Sequence, residues 1–117
     1  MGVEKTIQLF EIACQDGAAM RRFYGKLFDW RFTPRDAQGY CGIEDGTEEK
    51  VQGVFREETH GPIETLVYVG VPNLQQALDQ AEELGGKTIL PPTTTIRSRR
   101  IAQFEDPEGN IIGLVQQ

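Results

Sequence analysis

A repeat with an offset of 57 residues is the feature that most restricts the fold of this 117-residue chain. Asn73 falls on Asp16, and each of the two opens a run with helical periodicity. Leu66 falls on Leu9 in the strand-like stretches just before these runs. Strand, cap and helix positions that share one offset indicate that a small structural unit occurs twice in the chain. Two copies of a unit that cannot bury its own faces should pack together and leave a cleft between them.

The first copy predicts the order β-α-β-β-β. Residues 6–12 alternate loosely and form a first strand, and Asp16 is a suitable N-cap for the helix that follows. The apolar residues of that helix have the spacing of an amphipathic face, and they are Met20, Phe23, Tyr24, Leu27 and Phe28. Three short strands are then predicted over 30–33, 40–43 and 51–55.

The second copy predicts the same order. A strand over 65–71 ends at Pro72, Asn73 caps the second helix, and a strand over 87–90 follows. Pro91 and Pro92 predict a loop, after which residues 96–104 pair with residues 111–115. We therefore expect an α+β fold in a single domain, 1–117, made of module one (1–56), a linker (57–62) and module two (63–117). Because each helix covers one face of its sheet, the other faces of the mixed sheet should enclose a cup.

Composition excludes several classes of function. The net charge of −6 and the pI near 4.8 argue against a nucleic-acid or anionic-membrane partner, because phosphate binding draws on clustered Lys and Arg. No apolar stretch reaches the roughly 18 residues needed to cross a bilayer, and the N-terminus lacks the build of a signal peptide. These features predict a cytoplasmic protein in which Cys14 and Cys41 are reduced, partly buried thiols.

Four stretches resemble the glyoxalase, bleomycin-resistance and dioxygenase group, the vicinal oxygen chelate superfamily. They are Phe10-Glu11-Ile12, the run from Arg22 to Trp30, Gly85-Gly86-Lys87, and the turn from Phe104 to Asn110. The resemblance covers nearly the whole chain and implies a pair of βαβββ modules around a cup-shaped site. It also implies a homodimer, since members of the group commonly pair.

In the metal enzymes of this group, the first and last strands of each module each supply one ligand. Matching the motifs places three of these positions at Leu9, Leu66 and Gly113, and the repeat offset places the fourth at Arg56. Two leucines, a glycine and a cationic arginine supply no imidazole, carboxylate or thiolate donor. The single histidine, His60, lies in the predicted linker. We therefore expect no metal site of the usual kind and no cofactor.

Strand alternation predicts what lines the cup instead. If Leu9 faces the cup, Glu11 shares its side of the strand, and Tyr68 accompanies Leu66 in the same way. The predicted ligand-binding residues are Leu9, Glu11, Arg56, Leu66, Tyr68 and Gly113. An apolar floor with a few polar groups suits an organic molecule with one or two polar handles. Glu11 could also be solvated or pair with Arg56, and Tyr68 could be a wall residue rather than a proton donor.

Two functions follow, and a third possibility stays open. The first is a metal-free binding protein, similar to the bleomycin-resistance branch, that takes up an apolar or aromatic small molecule. The second is a metal-independent lyase or isomerase acting on a carbonyl substrate, with Glu11 as general base and Tyr68 or Arg56 polarising an oxygen. Glu11 and Tyr68 are thus the candidate catalytic residues, and the sequence leaves open whether the protein is an enzyme. The third is an accessory domain whose cup is empty.

Overall fold

The computed structural model describes residues 5–37, 39–46, 52–57, 64–95 and 98–117. Over these residues the chain forms eight strands and two helices, and it divides into two compact units. One unit is Leu9–Thr65, and the other is Leu66–Gln117 together with the described residues before Leu9. No helix within the described ranges is long and apolar enough to cross a membrane.

Module one has the predicted order β-α-β-β-β. Its elements are β1 (Ile7–Cys14), α1 (Gly17–Phe28), β2 (Arg31–Phe32), β3 (Tyr40–Glu44) and β4 (Gln52–Glu57). The neighbouring strands run β2-β3-β4-β1, with β1 parallel to β4 and the other pairs antiparallel. Strand β4 continues to Glu57, the first residue of the predicted linker.

Module two repeats this order. Its elements are β5 (Thr65–Val71), α2 (Leu74–Glu83), β6 (Lys87–Thr94), β7 (Arg100–Glu105) and β8 (Ile111–Gln116). The neighbours run β5-β8-β7-β6, with β5 parallel to β8 and the other pairs antiparallel. The α+β fold of two βαβββ modules with mixed strand directions is therefore confirmed. The cup between the modules stays a prediction.

The predicted loop at Pro91 and Pro92 is wrong, because β6 runs through both prolines. Strand β6 is paired with β7 on one side and has shifts in its register between Thr88 and Thr93. Proline lacks a backbone N–H, and it is tolerated where that group would not enter the ladder, at a strand on the sheet edge or at an irregularity. The sequence pattern could not reveal that this strand lies at the end of the strand order.

Both helices begin at the predicted caps. The Asp16 side chain accepts a hydrogen bond from the Ala19 N–H at 3.0 Å, and the Asn73 side chain accepts one from the Gln76 N–H at 2.9 Å. Each cap therefore satisfies an N–H in the first turn that has no partner within its helix. In sequence the caps are 57 residues apart, as the repeat predicts.

The two modules pack their helices differently. Leu74 and Leu78 of α2 are almost fully buried, and they pack with Val71, Ala102 and Leu114 in an aliphatic core. Module one uses rings instead, and the ring contacts join Phe23, Tyr24, Phe28, Trp30, Phe32 and Phe55. Trp30 stacks on Tyr24, with ring centroids 5.4 Å apart, so its ring belongs to this helix-side cluster.

Candidate functional site

The face of module one that lies opposite α1 carries the candidate residues of the first half. Phe55 packs against Tyr24 of α1 and pairs with Ile12 of β1, so even-numbered residues of β1 share the helix side. Leu9 and Glu11 point to the opposite side, which we call the helix-free face of module one. Leu9 is 5% exposed and Glu11 is 2% exposed. Strand alternation thus predicted correctly which candidates share a face.

Glu11 forms an ion pair with Arg56 on this helix-free face. The Arg56 Nε donates to Glu11 Oε2 at 2.8 Å, and the side-chain exposures are 20% and 3%. The two residues meet on the diagonal, because Glu11 pairs directly with Val54 and Arg56 follows two residues later on β4. A buried carboxylate is costly without a partner, so Arg56 offsets the desolvation of Glu11. The structure therefore shows the pair that the sequence left as one of its alternatives.

Module two has an equivalent helix-free face, opposite α2, which carries different side chains. Val69 and Val71 pack on the α2 core, so Leu66 and Tyr68 take the other side of β5. Leu66 is 3% exposed and Tyr68 is 2% exposed. Tyr68 pairs with Gly113 of β8, and a Cβ at Gly113 would overlap the Tyr68 ring. The missing side chain of Gly113 is thus the space that the tyrosine ring occupies.

Gln103 holds the hydroxyl end of Tyr68. Its Nε2 donates to the Tyr68 Oη at 3.0 Å from β7, the strand beyond Gly113. The sequence analysis did not single out this residue. The sequence feature that could have identified it is its position as a polar residue between Ala102 and Phe104. Both of these neighbours contribute to the helix-side core. Alternation therefore places Gln103 on the helix-free face, with Tyr68.

The strand registers give a second way to find the residue of β4 that corresponds to Gly113 of β8. Glu11 and Tyr68 correspond under the offset of 57, yet Glu11 pairs with Val54 while Tyr68 pairs with Gly113. By this register Gly113 of β8 corresponds to Val54 of β4, which is an offset of 59 residues instead of 57. The fourth ligand position of the metal enzymes falls on Val54 by this register and on Arg56 by the repeat offset. Both residues share one face of β4.

The residues at these positions do not fit a divalent cation. Leu9, Leu66 and Gly113 supply no donor atom, and neither Val54 nor the Arg56 guanidinium can coordinate a metal. The guanidinium places a positive charge beside the Glu11 carboxylate, at 2.8 Å. Over the parts of the chain that the structure describes, no three metal-ligating side chains form a group. His60 lies outside the described residues.

Cys14 and Cys41 are buried free thiols, as predicted, although the burial is more complete than expected. Burial raises the pKa of the Cys14 thiol, and the nearby Glu57 carboxylate raises it further. The thiolate is the nucleophilic form of cysteine, so a raised pKa makes Cys14 less reactive. Cys41 pairs with Phe55 and Cys14 pairs with Glu57, which places both thiols on the helix side, away from Glu11.

A second ion pair in module one joins β4 to the start of α1. Glu57 accepts from Arg35 Nε, and it also accepts from the Gly17 N–H at 3.3 Å. These contacts hold the pKa of Glu57 below its ordinary value, the hydrogen bond from Arg35 being the largest cause. The Arg35 and Glu57 side chains are 53% and 24% exposed, so this pair is far wetter than the pair of Glu11 and Arg56.

The helix-free faces of the two modules carry different chemical groups. Module one presents a carboxylate that can accept a hydrogen bond or a proton, beside a guanidinium that can stabilise an anionic oxygen. Module two presents a leucine, an aromatic ring and a phenolic hydroxyl. Each face, taken by itself, therefore combines apolar residues with at least one polar group.

A comparison with protein families gives a match over residues 6–114, to the model described as Glyoxalase/Bleomycin resistance protein/Dioxygenase superfamily. The match covers both modules and includes every candidate residue above. A search of the curated protein sequences found no match.

Solved structures share the fold at low sequence identity. A hypothetical protein from Bacillus halodurans C-125 is 16% identical, with a TM-score of 0.74 over 97% of this chain and 94% of that one. Methylmalonyl-CoA epimerase from Mycobacterium tuberculosis is 15% identical, with a TM-score of 0.70 over 99% and 91%. A superfamily member from Vibrio splendidus 12B01 is 12% identical, with a TM-score of 0.65 over 93% and 97%. These similarities support the fold.

Proposed function

The chain belongs to the Glyoxalase/Bleomycin resistance protein/Dioxygenase superfamily, and we propose that it binds a small apolar or aromatic molecule without the usual metal. The ion pair of Glu11 and Arg56 carries this proposal. It provides fixed charges on the face where the metal enzymes of the superfamily place their ligands. In this respect the protein would resemble the bleomycin-resistance branch.

The bound molecule should have an apolar body and one polar group. Leu9, Leu66 and Tyr68 are at most 5% exposed, so they would supply apolar wall contacts and little further area for removal from water. Arg56 can donate to an anionic or carbonyl oxygen, and a charge-assisted hydrogen bond of this kind orients a ligand. We therefore propose that the polar handle lies beside the pair, with Leu9, Leu66 and Tyr68 as the apolar ligand-binding residues.

Calorimetry and thermal-shift measurements with a matched panel test this proposal. The panel contains an aromatic carboxylate, its neutral amide, its cationic amine and bleomycin, each titrated into the metal-depleted protein. We expect saturable binding of at least one member, and a loss of about tenfold or more in affinity when Arg56→Gln removes the charge, since the hydrogen bond is charge-assisted. Arg35→Gln is the control, because it removes a guanidinium from the exposed pair in the same module.

Two results would overturn the proposal. One is the absence of binding for all four members and for a wider set of hydrophobic metabolites, which would favour an accessory domain with an empty cup. The other is equal loss of affinity in Arg56→Gln and Arg35→Gln, which would show that the pair of Glu11 and Arg56 does not contact the ligand.

A second candidate is a metal-independent lyase or isomerase that acts on a carbonyl substrate. The buried carboxylate of Glu11 favours it, because a base for abstraction of a proton next to a carbonyl must be held in a shielded position. Glu11 would take the proton, and the Arg56 guanidinium would stabilise the enolate oxygen. Return of the proton to the same carbon, on either face, completes an isomerisation. The similarity to methylmalonyl-CoA epimerase suggests a thioester as the first probe.

Solvent deuterium incorporation tests this second candidate. Methylmalonyl-CoA and simpler α-substituted thioesters are incubated in D₂O with the metal-depleted protein, and exchange of the α-proton is followed by mass spectrometry. Catalysed exchange that Glu11→Gln abolishes and Arg35→Gln retains would support the enzyme. Exchange that survives in Glu11→Gln would remove Glu11 as the base.

Cytoplasmic location and a homodimeric state are part of the same proposal. Acidic composition supports a protein without nucleic-acid or membrane partners. Cell fractionation tests the location, and light scattering tests the dimer.

A further inference from the structure

Helix α1 leaves several large apolar side chains more than half exposed, although the Phe23 and Phe28 rings also contact Tyr24. Phe23 and Leu27 are each 57% exposed, and Phe28 is 53% exposed. These residues have the spacing of an amphipathic face, yet the sheet of module one leaves all three exposed. The helix instead meets its sheet through the half-buried Tyr24 and the buried Gly17. Three exposed large hydrophobic residues within six positions typically mark an interaction surface.

The same surface of α1 is basic. The helix contains Arg21, Arg22 and Lys26 and no carboxylate. Arg22 and Lys26 are exposed and lie four residues apart, so they form a row along the helix. Phe23 and Leu27 form the neighbouring row at the same spacing. This basic row contrasts with the net charge of −6 of the whole chain.

Helix α2 has the complementary surface. Its buried side is Leu74 and Leu78, and the helix contains Asp79, Glu82 and Glu83 without any cation. Asp79 and Glu83 form an exposed acidic row. Leu84, the C-terminal cap residue of this helix, is 74% exposed beside that row. An acidic row next to an exposed leucine on α2 therefore matches the basic row next to exposed Phe23 and Leu27 on α1.

We infer that α1 is a docking surface for a second copy of this chain, and that it binds the outer face of the copy's α2. Phe23 and Leu27 of one copy contact Leu84 of the other, and the basic and acidic rows align alongside. The apolar contact provides the driving force, and the opposite charges select the partner and the register. This inference assigns a surface to the proposed homodimer, and it does not depend on the ligand or the reaction.

A charge-swap experiment tests the surface. Sedimentation velocity and light scattering are recorded on the full-length protein at low and at high salt. We expect Lys26→Glu and Glu83→Lys each to weaken self-association by about tenfold or more, because each creates like charges across the contact. An equimolar mixture of the two variants should recover a 1:1 complex at about the wild-type affinity. One α1–α2 contact then joins the two exchanged charges, and the other keeps the charges of the wild type.

Two further variants separate the apolar contribution from general effects on folding. Leu27→Glu should abolish association, whereas Ile89→Glu, at an exposed apolar residue of β6, should leave it unchanged. Circular dichroism confirms that each variant is folded, and Phe23→Ser serves as a milder alternative if Leu27→Glu is not.

The inference is overturned if the wild-type protein is monomeric at every concentration and salt. It is also overturned if association survives the α1 substitutions, or if it depends on α1 but is indifferent to Glu83→Lys. The last result would mean that α1 binds a surface other than α2.

Discussion

The two modules share a backbone order and the depth of burial at equivalent positions, but they fill those positions with different chemistry. Glu11 and Tyr68 correspond under the repeat, and each is 2% exposed. Module one satisfies its carboxylate with the guanidinium of Arg56, whereas module two places the tyrosine ring over Gly113. The repeat therefore constrains the path of the chain and leaves each module free to change its side chains, provided that polar atoms are paired and space is filled.

The helix sides differ in the same way. Module two buries Leu74 and Leu78 in an aliphatic core, so α2 leaves only polar residues and Leu84 outside. Module one relies on stacked rings around Tyr24 and Phe55, and α1 keeps Phe23 and Leu27 exposed. Equivalent helices of one repeat therefore differ in packing, since α2 buries its leucines in the core and α1 leaves Phe23 and Leu27 exposed.

The largest expected effect comes from breaking the ion pair of module one. Arg56→Met leaves the Glu11 carboxylate buried without its cation, and we expect the free energy of unfolding to fall by about 4 kcal/mol. Urea denaturation of the single variant and of the double variant Glu11→Leu with Arg56→Met measures the effect. The double variant should recover most of the loss, because it removes the buried charge together with its partner. A single variant that loses less than about 1 kcal/mol would mean that the pair is effectively solvated.

The next effect concerns the corresponding position of module two. Gly113→Ala would place a methyl group against the Tyr68 ring, and we expect a loss of about 2 kcal/mol from overpacking. A double-mutant cycle with Tyr68→Leu checks the cause, because the smaller side chain should reduce the cost of Gly113→Ala. Additive losses in the cycle would contradict the proposed contact between Gly113 and the ring.

The N-caps of α1 and α2 should contribute equally to the stability of the two modules. Asp16→Ala and Asn73→Ala each remove a side-chain acceptor from the first turn of a helix, and each should cost about 1 kcal/mol. Thermal unfolding of the two single variants and the double variant measures the losses, which should add because the caps belong to separate helices. A cost confined to one helix would show that the modules do not share this feature.

The smallest expected effect on stability comes from the exposed ion pair of Glu57 and Arg35. Glu57 has a pKa below its ordinary value of 4.5, chiefly because Arg35 donates to it and the Gly17 N–H also does. A lowered folded-state pKa gives stability that is present above pH 4.5 and is lost as the pH falls towards the folded-state value. Glu57→Gln should therefore flatten the fall in stability below pH 4.5, measured by urea denaturation across this range. Glu44→Gln, at an exposed residue of β3, is the control and should leave the curve unchanged.

Several features of the fold could be predicted because they depend on local chemistry. Asp16 and Asn73 cap their helices as the sequence indicated, since an Asx side chain can reach the N–H groups of the first turn in any tertiary setting. The alternation also placed Leu9 and Glu11 on one face of β1, and Leu66 and Tyr68 on one face of β5. Prediction failed at Pro91 and Pro92, because a proline is acceptable in a strand only when the strand's place in the sheet permits it.

The strand faces of the candidate residues were predictable, but their contacts were not. Glu11 and Arg56 are 45 residues apart in the sequence, and their meeting depends on the parallel register of β1 and β4. The same is true of Tyr68 and Gln103, 35 residues apart. Alternation assigns a residue to a face, but it does not specify which residue of another strand lies opposite.

The sequence by itself determined the repeat, the element order, the caps and the absence of metal donors at Leu9, Leu66 and Gly113, because each depends on residue type and spacing. Only the tertiary structure decided that Arg56 neutralises Glu11, that the Tyr68 ring takes the space at Gly113, and that Phe23 and Leu27 stay in solvent. The physical reason is that burial and pairing belong to neighbours brought together by strand register and helix packing. Local periodicity can describe an apolar stripe, but the sheet beneath the helix selects which side chains it covers.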